Sequence, residues 1–378
     1  MTAKQQIRTN RVRQRDLGLM DLPYLLLTLL LAALGLLMLY SASYARAYYV
    51  TGNSASYFTS QLVYVLMGVG VLLAISRVPY AWYRKLAFPI LGVSVALLML
   101  VSLTSVGSSG GGAERWINLG FVSFQPSEIA KFGVIVSFAA LMEKFQDRMK
   151  DFVHGFLPFL LILGIIAGLL YLQPHMSATM IILMLGFVMM LVGGSSWKYL
   201  GALVIAGVAL AAVYLLTQGY TSDRIMAWRN PDAYASDEGY QILQSEYAIG
   251  SGGLLGLGFG KGRQKYLYLP EEHNDYIFAI GCEELGFVGA IGILLLFSLL
   301  ILRGFWIAIH AKDRFSMLLG VGLTTLLAIQ VILNVAVVSN LLPSTGISLP
   351  FFSSGGTAVI MQLAECGIML NLSRSIGR

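Results

Sequence analysis

Ser251-Gly252-Gly253-Leu254-Leu255-Gly256-Leu257-Gly258-Phe259-Gly260-Lys261-Gly262, followed by Arg263-Gln264-Lys265 and by Tyr266-Leu267-Tyr268-Leu269-Pro270-Glu271-Glu272-His273-Asn274-Asp275, leads into Tyr276-Ile277-Phe278-Ala279-Ile280 and an apolar run that carries Glu283 and Glu284. On both sides of this stretch the chain is almost entirely apolar, so polar chemistry collects here. Asp275 stands where a polar loop meets a hydrophobic run, a place where a carboxylate meets a water-borne hydroxyl at a bilayer edge. Carboxylates deeper in such a run are costly and are usually functional.

Composition sets the class. Of 378 residues 57% are hydrophobic and 12% charged, and the mean hydropathy is +0.74. A soluble domain carries about twice that share of charge. The chain is therefore expected to be an all-α polytopic membrane protein. Its net charge of +6 does not point to nucleic acid, because the basic residues flank apolar runs instead of covering one face of a domain. Cys282 and Cys366 both fall in apolar runs, where a thiol behaves as a small hydrophobe.

Residues 1–20 form a basic tail, and the apolar run Leu22 to Tyr40 follows. A cleaved signal peptide is the other reading of this start. The run approaches the roughly 20 residues of a span, not the about 7 to 15 of a signal core, which favours an uncleaved first helix. Further runs lie near 57–76, 86–104, 126–142, 152–172, 176–193, 198–217, 276–308, 315–340 and 354–372, giving about ten transmembrane helices. The run 276–308 is longer than a bilayer needs and is expected to tilt or project. Arg77, Arg84, Lys85, Lys144, Arg148, Lys150, Lys198, Arg303, Lys312 and Arg314 fall in connections of one parity, which places both termini in the cytoplasm. The organisation is thus a cytoplasmic tail, 1–20, and one transmembrane domain, 21–378, with a large extracytoplasmic loop, 218–275, between helices 7 and 8. Within that loop Gly239 to Ile249 has the pattern of a short helix on the membrane surface.

The glycine run invites a phosphate-loop reading, since bare backbone amides cradle anions. It fails the nucleotide pattern, because Leu255 stands where the first glycine is required and Gly262 replaces the Ser or Thr. Two readings remain: a glycine turn packed closely on helices, or a cationic seat for a lipid diphosphate with Lys261, Arg263 and Lys265 supplying charge. Asp275 likewise has a structural alternative as a helix N-cap. Glu128 and Lys131 are three apart and share a helix face, which suits a structural ion pair as well as a site. Arg115 lies in an outward segment beside Glu114 and is available to a substrate anion. The charge-free loop Leu342 to Gly356 is rich in Pro, Gly and Ser and is expected to form a re-entrant turn lining a cavity. His154, His175, His273 and His310 show no metal-ligand spacing.

Taken together, Arg115-Trp116-Ile117 with Gln125-Pro126-Ser127-Glu128 and Lys131, Gln244-Ser245 with Ser251-Gly252-Gly253 and Gly256-x-Gly258-x-Gly260, Arg263-Gln264-Lys265, Leu269-Pro270-Glu271, Asp275-Tyr276-Ile277-Phe278-Ala279 with Glu283-Glu284-Leu285-Gly286, and Pro343-x-Thr345-Gly346 through Leu349-Pro350-Phe351 to Gly355-Gly356 resemble the SEDS family (FtsW/RodA/SpoVE). The resemblance implies a peptidoglycan glycosyltransferase that polymerises lipid II at the outer face of the bacterial cytoplasmic membrane. It also implies a class B penicillin-binding protein as partner, together with divisome or elongasome proteins. Arg224-x-x-x-Trp228-x-x-Pro231 favours the division or sporulation branch. The family's essential aspartate falls on Asp275, written as general base. Arg115, Lys261, Arg263, Lys265, Glu128, Lys131, Glu283, Gln244 and Ser354 make up the implied substrate-binding set. No cofactor is bound by the protein, and a divalent cation, Mg or Mn, would accompany the diphosphate. The chain departs from the family at Gln173-Pro174-His175-Met176-Ser177-Ala178, where many members have Gln-Pro-Asp-Leu-Gly-Thr. A lipid II flippase is the alternative function, since Glu128, Lys131, Glu283, Glu284 and Glu365 also suit a polar path through a membrane.

Overall fold

A computed structural model describes residues 18–103, 107–110, 113–118, 123–173, 175–217, 219–236 and 238–376. The helices are α1 Leu22–Thr51, α2 Ser56–Ile75, α3 Ala81–Leu103, α4 Pro126–Lys144, α5 Phe152–Gly155, α6 Leu157–Leu172, α7 Met176–Gly193, α8 Trp197–Thr217, α9 Gly219–Arg229, α10 Glu238–Gly252, α11 Ile277–Ile309, α12 Arg314–Val338 and α13 Gly356–Ser373. Among the described residues eight segments are long and apolar enough to cross a membrane, with α5 and α6 forming one of them. Two expected spans fall outside that set. α4 carries Glu128, Lys131, Glu143 and Lys144, and only Trp197–Ala209 of α8 counts as a short apolar helix.

Two helices start on side-chain caps. Asp21 caps α1, its side chain accepting from the Tyr24 N–H, and the helix ends where Gly52 turns left-handed. Nothing between them breaks the helix, so α1 runs beyond the expected Tyr40 and carries Arg46 to Glu272. Asp313 and Ser316 form a capping box at the start of α12. The apolar window of α12 is 72% buried, against 22% for α2 and α3. α12 is therefore the central pillar, and α1, α4, α7, α11 and α13 pack around it or its neighbours.

One element was not expected. Residues 107–124, read from sequence as an outward loop, hold a three-stranded antiparallel sheet in which β1 Gly107–Gly110, β2 Ala113–Asn118 and β3 Ser123–Phe124 pair in order, with a bulge at Ser108 and Ser109. Three strands this short leave little periodicity to read, since strand signals need about four to eight alternating residues.

The charge-free loop after α12 does turn back into the protein. Phe351 and Phe352 are buried, the Phe351 N–H donates to Gln362 Oε1, and a Cβ placed on Gly35, midway along α1, would strike the Phe351 carbonyl. Main chain at that depth is tolerated because protein surrounds it.

Candidate active site

The long run expected to tilt or project is broken at Gly286, whose φ of 66° and ψ of −170° are open to glycine alone. A break inside a helix orphans backbone groups. Here the glycine loop takes four of them: Leu257 and Gly258 N–H donate to the Glu283 and Glu284 carbonyls (both 3.0 Å), and Phe287 and Val288 N–H donate to Gly253 (2.9 Å) and Leu254 (3.1 Å). The two carboxylates finish the latch. Glu283 accepts from the Arg263 N–H at 2.8 Å and from the Gln264 N–H at 3.2 Å. Glu284 accepts from Gly260 N–H (3.0 Å), Gly262 N–H (3.3 Å), Ser41 Oγ (2.7 Å) and Lys265 Nζ (2.6 Å).

The glycine amides do cradle anions, but these anions belong to the protein. This corrects the placement of Lys265 and Glu283 in a substrate-binding set. Lys265 is buried and committed to Glu284 and Ser41, and Glu283 is committed to the loop backbone. Lys261 and Arg263 remain exposed on the same loop.

Above the break, the chain that presents Asp275 is held by three consecutive carbonyls. His273 accepts from the Ser354 N–H at 2.9 Å, Asn274 from Ser353 Oγ at 2.8 Å, and Asp275 from Asn334 Nδ2 at 2.7 Å. The donors come from α12 and from the loop before α13, so a turn that sequence shows as an ordinary helix entry is fixed from the far end of the chain. Asp275 is not the cap of α11. Tyr276 occupies that position, and no side chain caps it.

The Asp275 carboxyl, partly open but enclosed enough for desolvation to dominate, is pushed up to about 6, first by burial and then by the charge of Glu271, against the opposing pull of His273 and Arg224. Arg224 itself donates to the Ser344 carbonyl at 3.0 Å. The Ser344-Thr345-Gly346 turn thus closes over the carboxyl, and a Cβ on Gly346 (φ +68°) would lie 3.2 Å from Asp275 Oδ2. Beside it, Glu272 accepts from Arg46 Nε (2.8 Å) and Nη2 (3.0 Å). Burial would raise the Glu272 pKa, but the His273 ring, its Nδ1 4.0 Å from Oε2, and the hydrogen bonds from Arg46 outweigh it and hold the carboxyl below the usual range. The His273 ring also packs edge-on against Tyr57, centroids 4.9 Å apart.

The second predicted cluster forms as a pair: Lys131 Nζ lies 2.7 Å from Glu128 Oε1, with the lysine buried and Glu365 of α13 within electrostatic reach. Ser354 contributes its backbone to the His273 carbonyl, and Gln244 is half-buried on α10. Arg115 falls on β2, but its side chain lies outside the described residues, as does Pro174. His175, at the departure from the family pattern, sits against Gln125 Nε2 (2.6 Å) and Ser127 Oγ (3.5 Å). Among the described residues no three His, Cys, Asp or Glu side chains gather as metal ligands.

Arg224, His273, Asn334 and Gly346 are the site residues that the sequence reading did not assign. Arg224 was visible in sequence as one of five Lys and Arg residues in the large loop. Asn334 gave no signal beyond being a polar residue within an apolar helix.

Residues 22–377 match the family model FtsW/RodA/SpoVE, described as "Cell cycle protein". The chain is 38% identical over 353 residues to a "Probable peptidoglycan glycosyltransferase FtsW" of Geobacter sulfurreducens, covering 93% of this chain and 95% of the relative. It is 38% identical over 354 residues to "Stage V sporulation protein E" of Bacillus subtilis, covering 94% and 97%. Among solved structures it superposes on a chain from "Structural coordination of polymerization and crosslinking by a peptidoglycan synthase complex" with a TM-score of 0.80, 28% identity and coverage of 94% and 98%. The rod shape determining protein RodA of Thermus thermophilus matches with a TM-score of 0.71, 29% identity and coverage of 95% and 98%. On the length and identity of these matches, the chain belongs to the FtsW/RodA/SpoVE family of cell cycle proteins.

Proposed function

We propose that this multi-pass membrane protein is a peptidoglycan glycosyltransferase of division or sporulation that polymerises lipid II, with Asp275 as its general base. The coarse activity rests on the named relatives, and the observation that supports the residue assignment is the anchoring of the Asp275 segment by three consecutive carbonyl hydrogen bonds, with burial raising the carboxyl pKa to about 6. A base is most effective when its pKa lies near the working pH and its geometry is fixed beforehand.

In this mechanism the acceptor sugar hydroxyl gives its proton to Asp275 as its oxygen attacks the anomeric carbon of the donor. The bond from that carbon to the lipid diphosphate breaks, and the electron pair leaves with the phosphate. One base suffices for direct displacement with inversion. Arg224, which opposes the upward shift of Asp275, and the exposed Lys261 and Arg263 supply positive charge for the departing diphosphate, with Arg115 as a further donor. A divalent cation would arrive with the diphosphate and not in a protein cage.

The distribution of Lys and Arg supports a cytoplasmic-membrane location with both termini in the cytoplasm and Asp275 outside. A class B penicillin-binding protein is the proposed partner, in line with the polymerisation and crosslinking named for the matched complex.

Polymerisation of purified lipid II by Asp275→Asn protein tests the assignment. Rates should fall by about 10² to 10⁴, the usual contribution of general-base catalysis. Near wild-type polymer from correctly folded Asp275→Asn protein would remove Asp275 from the chemistry. Label moved across liposomes without polymer would favour the transporter.

A further inference from the structure

The latch at Gly286 does more than close a helix break. Below the break, Phe287 and Val288 are each 60% exposed, and Ile291, Leu295, Leu299 and Leu302 continue that apolar face down α11 as its lipid-facing side. The bonds from Phe287 N–H to Gly253 and from Val288 N–H to Leu254 fix the glycine loop at the upper end of this face. At that level the loop exposes Leu254 (71%) and Leu255 (80%), with Phe259, Tyr266 and Tyr268 also open, and it carries the exposed Lys261 and Arg263. Its backbone amides are already spent on Glu283 and Glu284, so the loop is held rigidly with its apolar side chains outward.

We propose that the Ser251–Tyr268 loop is a monotopic membrane anchor, seated in the leaflet on the Asp275 side, with anionic phospholipid headgroups paired to Lys261 and Arg263 when no substrate diphosphate is bound. Continuity carries the assignment. Acyl chains that cover Phe287 and Val288 reach Leu254 and Leu255 without crossing a polar boundary. Apolar residues flanked by cations are the composition that seats a segment at the headgroup boundary, where anionic lipid adds electrostatic attraction. The anchor sets the height of the membrane surface against α11, and hence the height at which Asp275 meets a lipid-borne substrate. This last consequence alone rests on the proposed function.

The test is spin labelling of Leu255→Cys protein in vesicles, with collisional access to oxygen and to a water-soluble nickel chelate as readout. Asn53→Cys, in the turn between α1 and α2, serves as the aqueous control and Leu299→Cys as the lipid control; wild type reports background from the buried Cys282 and Cys366. In phosphatidylglycerol-containing vesicles without partner or substrate, nickel access at 255 should be several-fold below that at 53, with oxygen access near that at 299. Adding Lys261→Gln and Arg263→Gln should move the label toward water in those vesicles and leave it unchanged in phosphatidylcholine alone. Nickel access equal to that at 53 would overturn the proposal. So would shielding that appears only on adding a class B penicillin-binding protein, which would make the face a protein interface, or only on adding lipid II, which would make it a substrate seat. Because the readout is depth and not activity, it stands or fails independently of Asp275 chemistry.

Discussion

Asn334 Nδ2 donates to the main-chain carbonyl of Asp275 at 2.7 Å and, with its other hydrogen, to the carbonyl of Ile347, also at 2.7 Å. One buried amide on α12 therefore ties the segment bearing the carboxyl to the Ser344-Thr345-Gly346 turn that covers it. Replacing it with Leu leaves two enclosed carbonyls without a donor, at a cost of about 1 to 3 kcal/mol each. Asn334→Leu is expected to lower kcat for lipid II polymerisation tenfold or more with a smaller change in KM, and to lower the melting temperature in detergent. Unchanged kcat would show that Asp275 does not depend on this tie.

The Asp275 carboxyl is raised from an ordinary 3.8 to about 6. Between those values the folded protein binds a proton that the unfolded chain has released, so this group's contribution to stability falls as pH rises through that window and stays lost above it. Activity runs the opposite way, because the base works only when ionised. Polymerisation should rise with pH through about 6, and Asp275→Asn protein at pH 7.5 should polymerise about 10² to 10⁴ times more slowly yet be more heat-stable. A mutant both inactive and less stable would contradict this account.

Gly346 combines a φ of +68° with a Cβ position 3.2 Å from Asp275 Oδ2. Gly346→Ala adds left-handed strain of about 1 kcal/mol or more and a methyl against the carboxyl. The expected result is a loss of kcat larger than the loss of stability, together with a further upward move of the lower pH limit of activity, because the methyl excludes water from the carboxylate. Steady-state rates across pH 5 to 8 check both.

The Lys265 and Glu284 side chains meet at 2.6 Å inside the latch and share Ser41. Removing one member of a buried pair costs about 3 to 5 kcal/mol because the other is left uncompensated, whereas removing both costs less. Lys265→Met and Glu284→Gln should each destabilise strongly, and the double variant should be milder than their sum. Additive losses in thermal unfolding would show that the two charges are not coupled.

Much of this architecture was legible without coordinates. The apolar runs, their length and the asymmetry of Lys and Arg indicated a polytopic helical protein, because a bilayer forces each span to satisfy its own backbone and to be apolar along its length. The position of Asp275 at the edge of an apolar run was legible for a related reason: a carboxylate there has few inexpensive places to sit. The glycine run marked bare amides available to an anion, with a closely packed turn as the other reading.

Composition carries no information about which partner arrives from far along the chain, and that is where tertiary structure decided the outcome. It assigned the glycine amides to Glu283 and Glu284, about 20 residues onward, and not to a phosphate, and it consumed Lys265 in the same latch. It converted an overlong run into a helix broken at Gly286. It brought Arg224, Asn334 and Gly346 to Asp275 from three other segments. Periodicity and propensity are local and report where a residue can lie relative to the membrane, whereas the pKa of a carboxyl and the fate of a buried amide depend on neighbours that only the packed chain supplies.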